Sequence, residues 1–169
     1  MPAWSPNRID RTDLKILNEL QRNGRMTNVE LSSRVGISSP ACLRRVRTLE
    51  KDGVITGYRA LINELRFGYT VTIFVEISLE KRSADAIASF EHGLSEWDIV
   101  RESYRLTGES DYLLKCVTSD LATFQEFAVS KLTADDNITS IRTIMTAQQN
   151  KQQQAVPLIE AKQFYRSRP

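Results

Sequence analysis

Residues Gly36–Gly53 read GISSPACLRRVRTLEKDG, and the reading of this run decides the fold of the first third of the chain. Ser38 or Ser39 can cap a helix here, and Pro40 suits its first turn, where a missing N–H costs nothing. A turn of about 100° per residue puts Cys42, Leu43, Val46 and Leu49 on one side. Ala41, Arg44 and Thr48 centre the opposite side, flanked by Pro40, Arg45 and Arg47, and Gly53 stops the helix. Such a helix is apolar inside and cationic outside. No carboxylate lies on its outward face within one turn of the arginines. The charges therefore either idle in water or meet an anion.

Upstream, IDRTDLKILNELQRNGRMT supplies a helix with a start and a stop. Asp10 is a good N-cap, Asp13 adds negative charge to the first turn, and Leu14, Ile16, Leu17 and Leu20 make an apolar stripe ahead of Gly24. In TNVELSSRVG, Thr27 and Glu30 have the spacing of a capping box, and Gly36 ends a run of about two turns. A helix that short is unstable alone and must pack on its neighbours.

Three helices with tight glycine-bearing connections, the last basic on its outer face, make a helix-turn-helix. In that motif the last helix enters the DNA major groove, N-terminal residues first. Ser38, Ser39, Pro40 and Ala41 are compact enough for close approach, with Thr27 at the start of the preceding helix. Arg44, Arg45 and Arg47, with Thr48 beside them, can contact phosphates or donate to guanine edges.

The charge distribution agrees. Residues 1–68 hold 12 Lys and Arg against 7 Asp and Glu, a balance of +5. The rest holds 11 against 14, or −3, so that the chain sums to +2. A basic first third suits a polyanion. Val54 onward, VITGYRALI, reads as an extended hinge strand.

Beyond it, YTVTIFVEISLE alternates, with Tyr69, Val71, Ile73, Val75, Ile77 and Leu79 on one side of a half-buried strand. SADAIASFEHGL is a helix capped by Ser83, with Ala84, Ile87, Ala88 and Phe90 apolar. DIVRESYRLTG and DYLLKCV are strands on either side of a turn. DLATFQEFAVSKL is a helix capped by Asp120, with Leu121, Phe124, Phe127, Ala128 and Leu132 inward, and ITSIRTIMTA is a closing strand. The order β-α-β-β-α-β is the ferredoxin-like split unit, with helices on one sheet face and the other face open. An open, partly apolar face needs a partner, and a second copy of the chain is the economical one.

The fold class is thus α+β. A winged-helix-like helix-turn-helix domain spans 1–53, a hinge 54–68, the ferredoxin-like domain 69–147 and a C-terminal tail 148–169. The Gln-rich AQQNKQQQ reads as a linker, and the last residues could add a strand or short helix. Cys42 and Cys116 are far apart and the chain has one His, so no metal site and no cofactor are expected. MPAWSPNR has no signal-like apolar run, and no stretch approaches membrane-spanning length, which points to the cytoplasm.

Three stretches carry a family resemblance: IDRTDLKILNELQRNGRMTNVELSSRVGIS, SSPACLRRVRTLEKDGVITGYRALIN and LTGESDYLLKCV. Through them, from about Ile9 to Leu158, the chain resembles the Lrp/AsnC family, the feast/famine transcriptional regulators. The resemblance implies homodimers that assemble further, often to octamers, with double-stranded DNA wrapped outside. It also implies an amino-acid effector held between neighbouring dimers near the glycine- and aspartate-bearing turn. By position, Leu106, Thr107, Gly108, Asp111 and Tyr112 become effector candidates, with Thr143, Ile144 and Met145 on the facing side. Backbone N–H groups at such a turn can hold a carboxylate, and Asp111 can receive an ammonium group. The plainer reading, in which Gly108 makes a turn that Asp111 caps, stays open.

No catalytic constellation is present: His92 is alone, and there is no phosphate loop or nucleophile elbow. The alternatives to an effector-modulated DNA-binding regulator are an architectural DNA-wrapping protein that ignores ligands and a small-molecule-binding domain that does not touch DNA.

Overall fold

The computed structural model describes residues 9–151 and 155–158, and these divide into two compact units. One holds the described residues up to Leu61 together with 155–158; the other runs Ile62–Lys151.

The first unit contains α1 (Arg11–Arg22), α2 (Asn28–Val35) and α3 (Ser39–Lys51). Their starts follow from local chemistry. The Asp10 side chain accepts from the backbone of Thr12 and Asp13, while Asp13 reaches back to the Asp10 N–H, a reciprocal capping box. Thr27 and Glu30 close the same kind of box on α2, and Gly36 leaves that helix at φ +82°, a conformation that favours glycine. Ser38 occupies the N-cap of α3 but makes no capping bond through its side chain, and Pro40 stands in the first turn. Ile16, Leu17, Leu31, Val35, Cys42 and Leu49 form the core of this unit.

Three expectations change here. The first helix ends at Asn23, whose N–H bonds the Glu19 carbonyl, before Gly24 is reached. Leu43 is 39% exposed and lies outside the core. Residues 56–63 form no strand, since none of them joins a β-ladder among the described residues. The N–H groups of Val54 and Ile55 both return to the Leu49 carbonyl instead. Past the Gln-rich stretch, Gln21 bonds the backbone of Val156 in both directions, and Leu158 packs on the core. Residues 1–8, 152–154 and 159–169, with part of the expected linker and most of the stretch expected to add a strand or short helix, lie outside the described residues.

The second unit runs β1 (Val71–Leu79), α4 (Ala84–Glu96), β2 (Val100–Arg105), β3 (Tyr112–Thr118), α5 (Leu121–Phe127) and β4 (Ile138–Met145). The wider π turns of Ala128–Thr133 prolong α5. The sheet order is β2-β3-β1-β4, antiparallel throughout, which is the split β-α-β arrangement that the pattern predicts. Alternation along β1 buries Ile73, Val75, Ile77 and Leu79 against Phe90, Leu94, Phe124 and Leu132. Each such side chain stabilises the unit by about 1.5–3 kcal/mol. Tyr69, Ala84, Ala88 and Leu121 prove exposed: Tyr69 precedes the paired part of β1, Ala84 and Leu121 open their helices, and Ala88 lies on the outer side of the second turn of α4.

The other sheet face shows Thr72, Phe74 and Glu76 of β1, with Leu113, Lys115 and Val117 of β3 and Arg142 and Ile144 of β4 beside them in register. Its charges are neutralised within the face: Lys115 pairs with Glu102 at 2.8 Å and Arg142 with Glu76 at 3.3 Å.

Candidate DNA interface and effector turn

The outward side of α3 carries a shallow groove of about 330 Å³ lined by Pro40, Leu43, Arg44, Arg47, Thr48 and Lys51. Arg44 and Arg47 stand on it, both exposed. Arg45 does not join them. Its Nη1 lies 2.7 Å from Asp10 Oδ2 and 2.8 Å from Asp13 Oδ1, with the Arg45 side chain 34% exposed. The carboxylate partners that α3 lacks on its own surface come from the cap of α1. Asp13 and then Asp10 hold the guanidinium more firmly protonated than usual. Burial opposes ionisation of Asp10, but the Asp13 N–H and Arg45 outweigh it, and its pKa lies below the ordinary carboxylate value.

The hydroxyls are mostly spent inside the protein. Thr27 accepts from the Glu30 N–H and donates to the Glu30 carboxylate at 2.8 Å. The Ser39 hydroxyl shares a 2.8 Å hydrogen bond with that of Ser32. Thr48 donates to the Arg44 carbonyl at 3.0 Å. Ser38 is exposed, and Ala41 is half-buried. Of the nine residues singled out by sequence for DNA, Pro40, Arg44, Arg47 and Thr48 share one surface, while Thr27, Ser39 and Arg45 have their polar groups engaged by neighbours. Sequence reasoning missed Leu43 and Lys51. The positive charge of Lys51 was visible; the outward turn of Leu43 was not.

At the β2–β3 turn, Leu106 N–H bonds the Asp111 carbonyl and Asp111 N–H bonds the Ile77 carbonyl, each at 2.8 Å. The Asp111 carboxylate accepts from the Leu79 N–H and pairs with Arg82, each at 2.8 Å. The Leu79 N–H, and then Arg82 against the opposing effect of burial, hold this carboxyl below its ordinary pKa. The acid expected to await an ammonium group is therefore already engaged. Thr107 and Gly108 stand exposed, and a Cβ placed on Gly108 would meet nothing within 4 Å.

Tyr112 departs from expectation. It is buried, its ring lies 4.8 Å from that of Phe90, and its hydroxyl donates to Glu91 at 2.8 Å. Burial and then Glu91 push its pKa up to about 12. It serves the core. Thr143, Ile144 and Met145 are exposed on β4. Met145 pairs with Ile73, whereas the turn abuts Ile77–Leu79. Four residues of strand separate the two levels by about 13 Å. Within one copy Met145 thus stands apart from the turn, while Thr143, paired with Val75, lies two residues of strand from Ile77.

Both cysteines are free and buried, and burial raises the Cys116 thiol to about 12. Among the described residues no three His, Cys, Asp or Glu side chains cluster as metal ligands, and no helix is long and apolar enough to cross a membrane.

Comparison with known proteins bears on both regions. The sequence profile of winged helix-turn-helix DNA-binding domains matches residues 9–56, and that of the Lrp/AsnC ligand binding domain matches residues 72–156. A leucine-responsive regulatory protein of Rhizobium meliloti (strain 1021) is 49% identical over 143 residues, covering 85% of this chain and 92% of the relative. A transcriptional regulator of Neisseria meningitidis, solved as a complex with L-Met, superposes with a TM-score of 0.86 at 34% identity, over 90% of this chain and 99% of that one. An AsnC family transcriptional regulator of Agrobacterium tumefaciens superposes at 0.85 with 32% identity, over 90% and 99% of the two chains.

Proposed function

Because the chain belongs to the Lrp/AsnC family of transcriptional regulators, we propose that it seats α3 in the major groove of DNA and alters that hold when an apolar amino acid binds its C-terminal domain. The observation that carries the DNA half is the α3 groove, where Arg44, Arg47 and Lys51 surround Pro40, Leu43 and Thr48. These cations can neutralise phosphates or donate in pairs to guanine, while Ser38 and the first turn of α3 approach the backbone. Arg45 has a different part: it ties α3 to the cap of α1, fixing the angle at which the groove is presented.

The effector half rests on the relatives, one leucine-responsive by name and another solved with L-Met. Both ligands are α-amino acids with unbranched-entry apolar side chains, so the effector class is an apolar amino acid. Gly108 supports the reading, because nothing inside the chain crowds its missing side chain and the open space suits a ligand or a neighbouring copy. The separation of Met145 from the turn supports a site completed by a neighbouring copy, as in a homodimer assembling further, to an octamer. The neutralised open sheet face and the exposed Tyr58, Leu61, Ile62, Leu65 and Phe67 offer surfaces for that assembly. A DNA partner and two free thiols suit the cytoplasm.

The filled state of Asp111 favours one competing reading, an architectural DNA-wrapping protein without a ligand. A thermal-shift screen against all amino acids separates them. A ligand that prefers the folded protein raises its melting temperature, and a response confined to apolar amino acids is the expected result. No response from any of them would leave the architectural reading standing.

A further inference from the structure

Resting on the DNA-binding reading, we propose that Leu43 is a specificity-determining residue that contacts the methyl group of a thymine in each half-site. An exposed leucine on a surface is ordinary by itself. This one lies in the middle of the groove that presents Arg44, Arg47 and Lys51, one helical turn beyond Pro40 and one turn before Arg47. Neighbours three and four apart share a helix face, so a duplex reached by Arg47 is reached by Leu43 as well.

The chemistry left on that face narrows what it can read. The Thr48 hydroxyl is turned back to the Arg44 carbonyl, and the Ser39 hydroxyl is held by Ser32. The groove has no carboxamide to pair with adenine and no carboxylate to accept from cytosine; Pro40, Leu43, Arg44, Arg47, Thr48 and Lys51 line it. Arginine donors recognise guanine, and apolar groups recognise the thymine methyl. Leu43 is the largest apolar side chain in the groove. The face therefore distinguishes guanine through its cations and thymine through Leu43, at the same or an adjacent base step. Burial of Cys42 and Leu49 on the inner side holds α3 so that Leu43 has no route into the core.

The test begins with selection of duplexes from a random library by the full chain, followed by replacement of each thymine in the selected site by deoxyuridine, which deletes only the methyl group. One such replacement, in one half-site, should weaken wild-type binding about three- to fivefold, the scale of one buried methyl contact. Leu43→Ala should lose that sensitivity while keeping its salt dependence and its melting temperature. The proposal is overturned if the wild type selects no preferred sequence, if no deoxyuridine replacement weakens binding, or if Leu43→Ala stays as sensitive as the wild type. Failure of the DNA-binding reading has a different signature, the absence of salt-dependent binding to any duplex.

Discussion

Arg45 Nη1 donates to Asp13 Oδ1 at 2.8 Å across 32 residues of sequence, and Asp10 Oδ2 approaches the same nitrogen at 2.7 Å. Asp13 is 6% exposed, so removing the guanidinium leaves a buried carboxylate short of a partner. Partial exposure of Arg45 reduces the cost to about 1 kcal/mol. Arg45→Ala should therefore lower the melting temperature of the N-terminal unit by about 4–8 °C, as expected for so small a unit. Calorimetry would show it, and an unchanged transition together with weakened DNA binding would return Arg45 to the groove.

Arg44 and Arg47 should behave in the opposite way. Neither forms an ion pair among the described residues, and both line the groove. Arg44→Ala and Arg47→Ala should melt like the wild type. Each should weaken DNA binding roughly tenfold at low salt and reduce the slope of log K against log salt by about one. Fluorescence anisotropy across a salt series measures both quantities. Wild-type slopes in both variants would mean that another surface meets the phosphates.

These two predictions divide at the limit of what sequence can show. The helix starts were legible because capping is local: Asp10 with Asp13, Thr27 with Glu30, and Asp120 with Thr123 each lie three residues apart. The sheet was legible because alternation along β1 separates its faces, and Ile73, Val75 and Ile77 are all fully buried. The partners of Arg45 were not, since a carboxylate 32 residues away leaves no mark near an arginine. Helical spacing puts Leu43 beside Cys42 but cannot say where the packed neighbours end. The burial of Tyr112 was hidden for a related reason: the residue follows a turn, yet β3 already points it at Phe90 and Glu91.

Gly108 offers a clean test of the effector turn. Its backbone is not in the left-handed region, and an added Cβ meets nothing within 4 Å, so Gly108→Gln should fold and melt as the wild type does. It should nonetheless abolish the shift in DNA affinity caused by an apolar amino acid, because the side chain fills the space the ligand needs. Titrating DNA binding with and without the amino acid decides it. A normal response would move the ligand site away from this turn.

Asp111 links the same turn to pH. Its folded pKa lies below its ordinary 3.8, chiefly because of the Leu79 N–H, so on acidification the unfolded chain takes up this proton first. The stability it contributes is complete above about pH 5 and is lost as the pH falls through the lower, folded value. Asp111→Asn should thus be less stable than the wild type at neutral pH, with the gap closing as the pH falls through the lowered, folded value. Denaturant unfolding at several pH values tests this. A gap of constant size would assign the effect to shape instead of charge.

The open sheet face carries the remaining prediction. Phe74 lies between Lys115 and Ile144 in register, and the face pairs its own charges through Lys115–Glu102 and Arg142–Glu76. A surface that is partly apolar and already neutral can be covered by a second copy without stranding an ion. Ile144→Asp would place an unpaired carboxylate in that seam while leaving each unit's core untouched, since Ile144 is 37% exposed. Sedimentation should then show dissociation towards the monomer at concentrations where the wild type stays assembled. DNA affinity should fall with it, because two linked modules gain from binding neighbouring half-sites and separate ones do not. A variant that sediments as the wild type does would show that the copies meet elsewhere, with the exposed apolar residues of 58–67 the next surface to mutate.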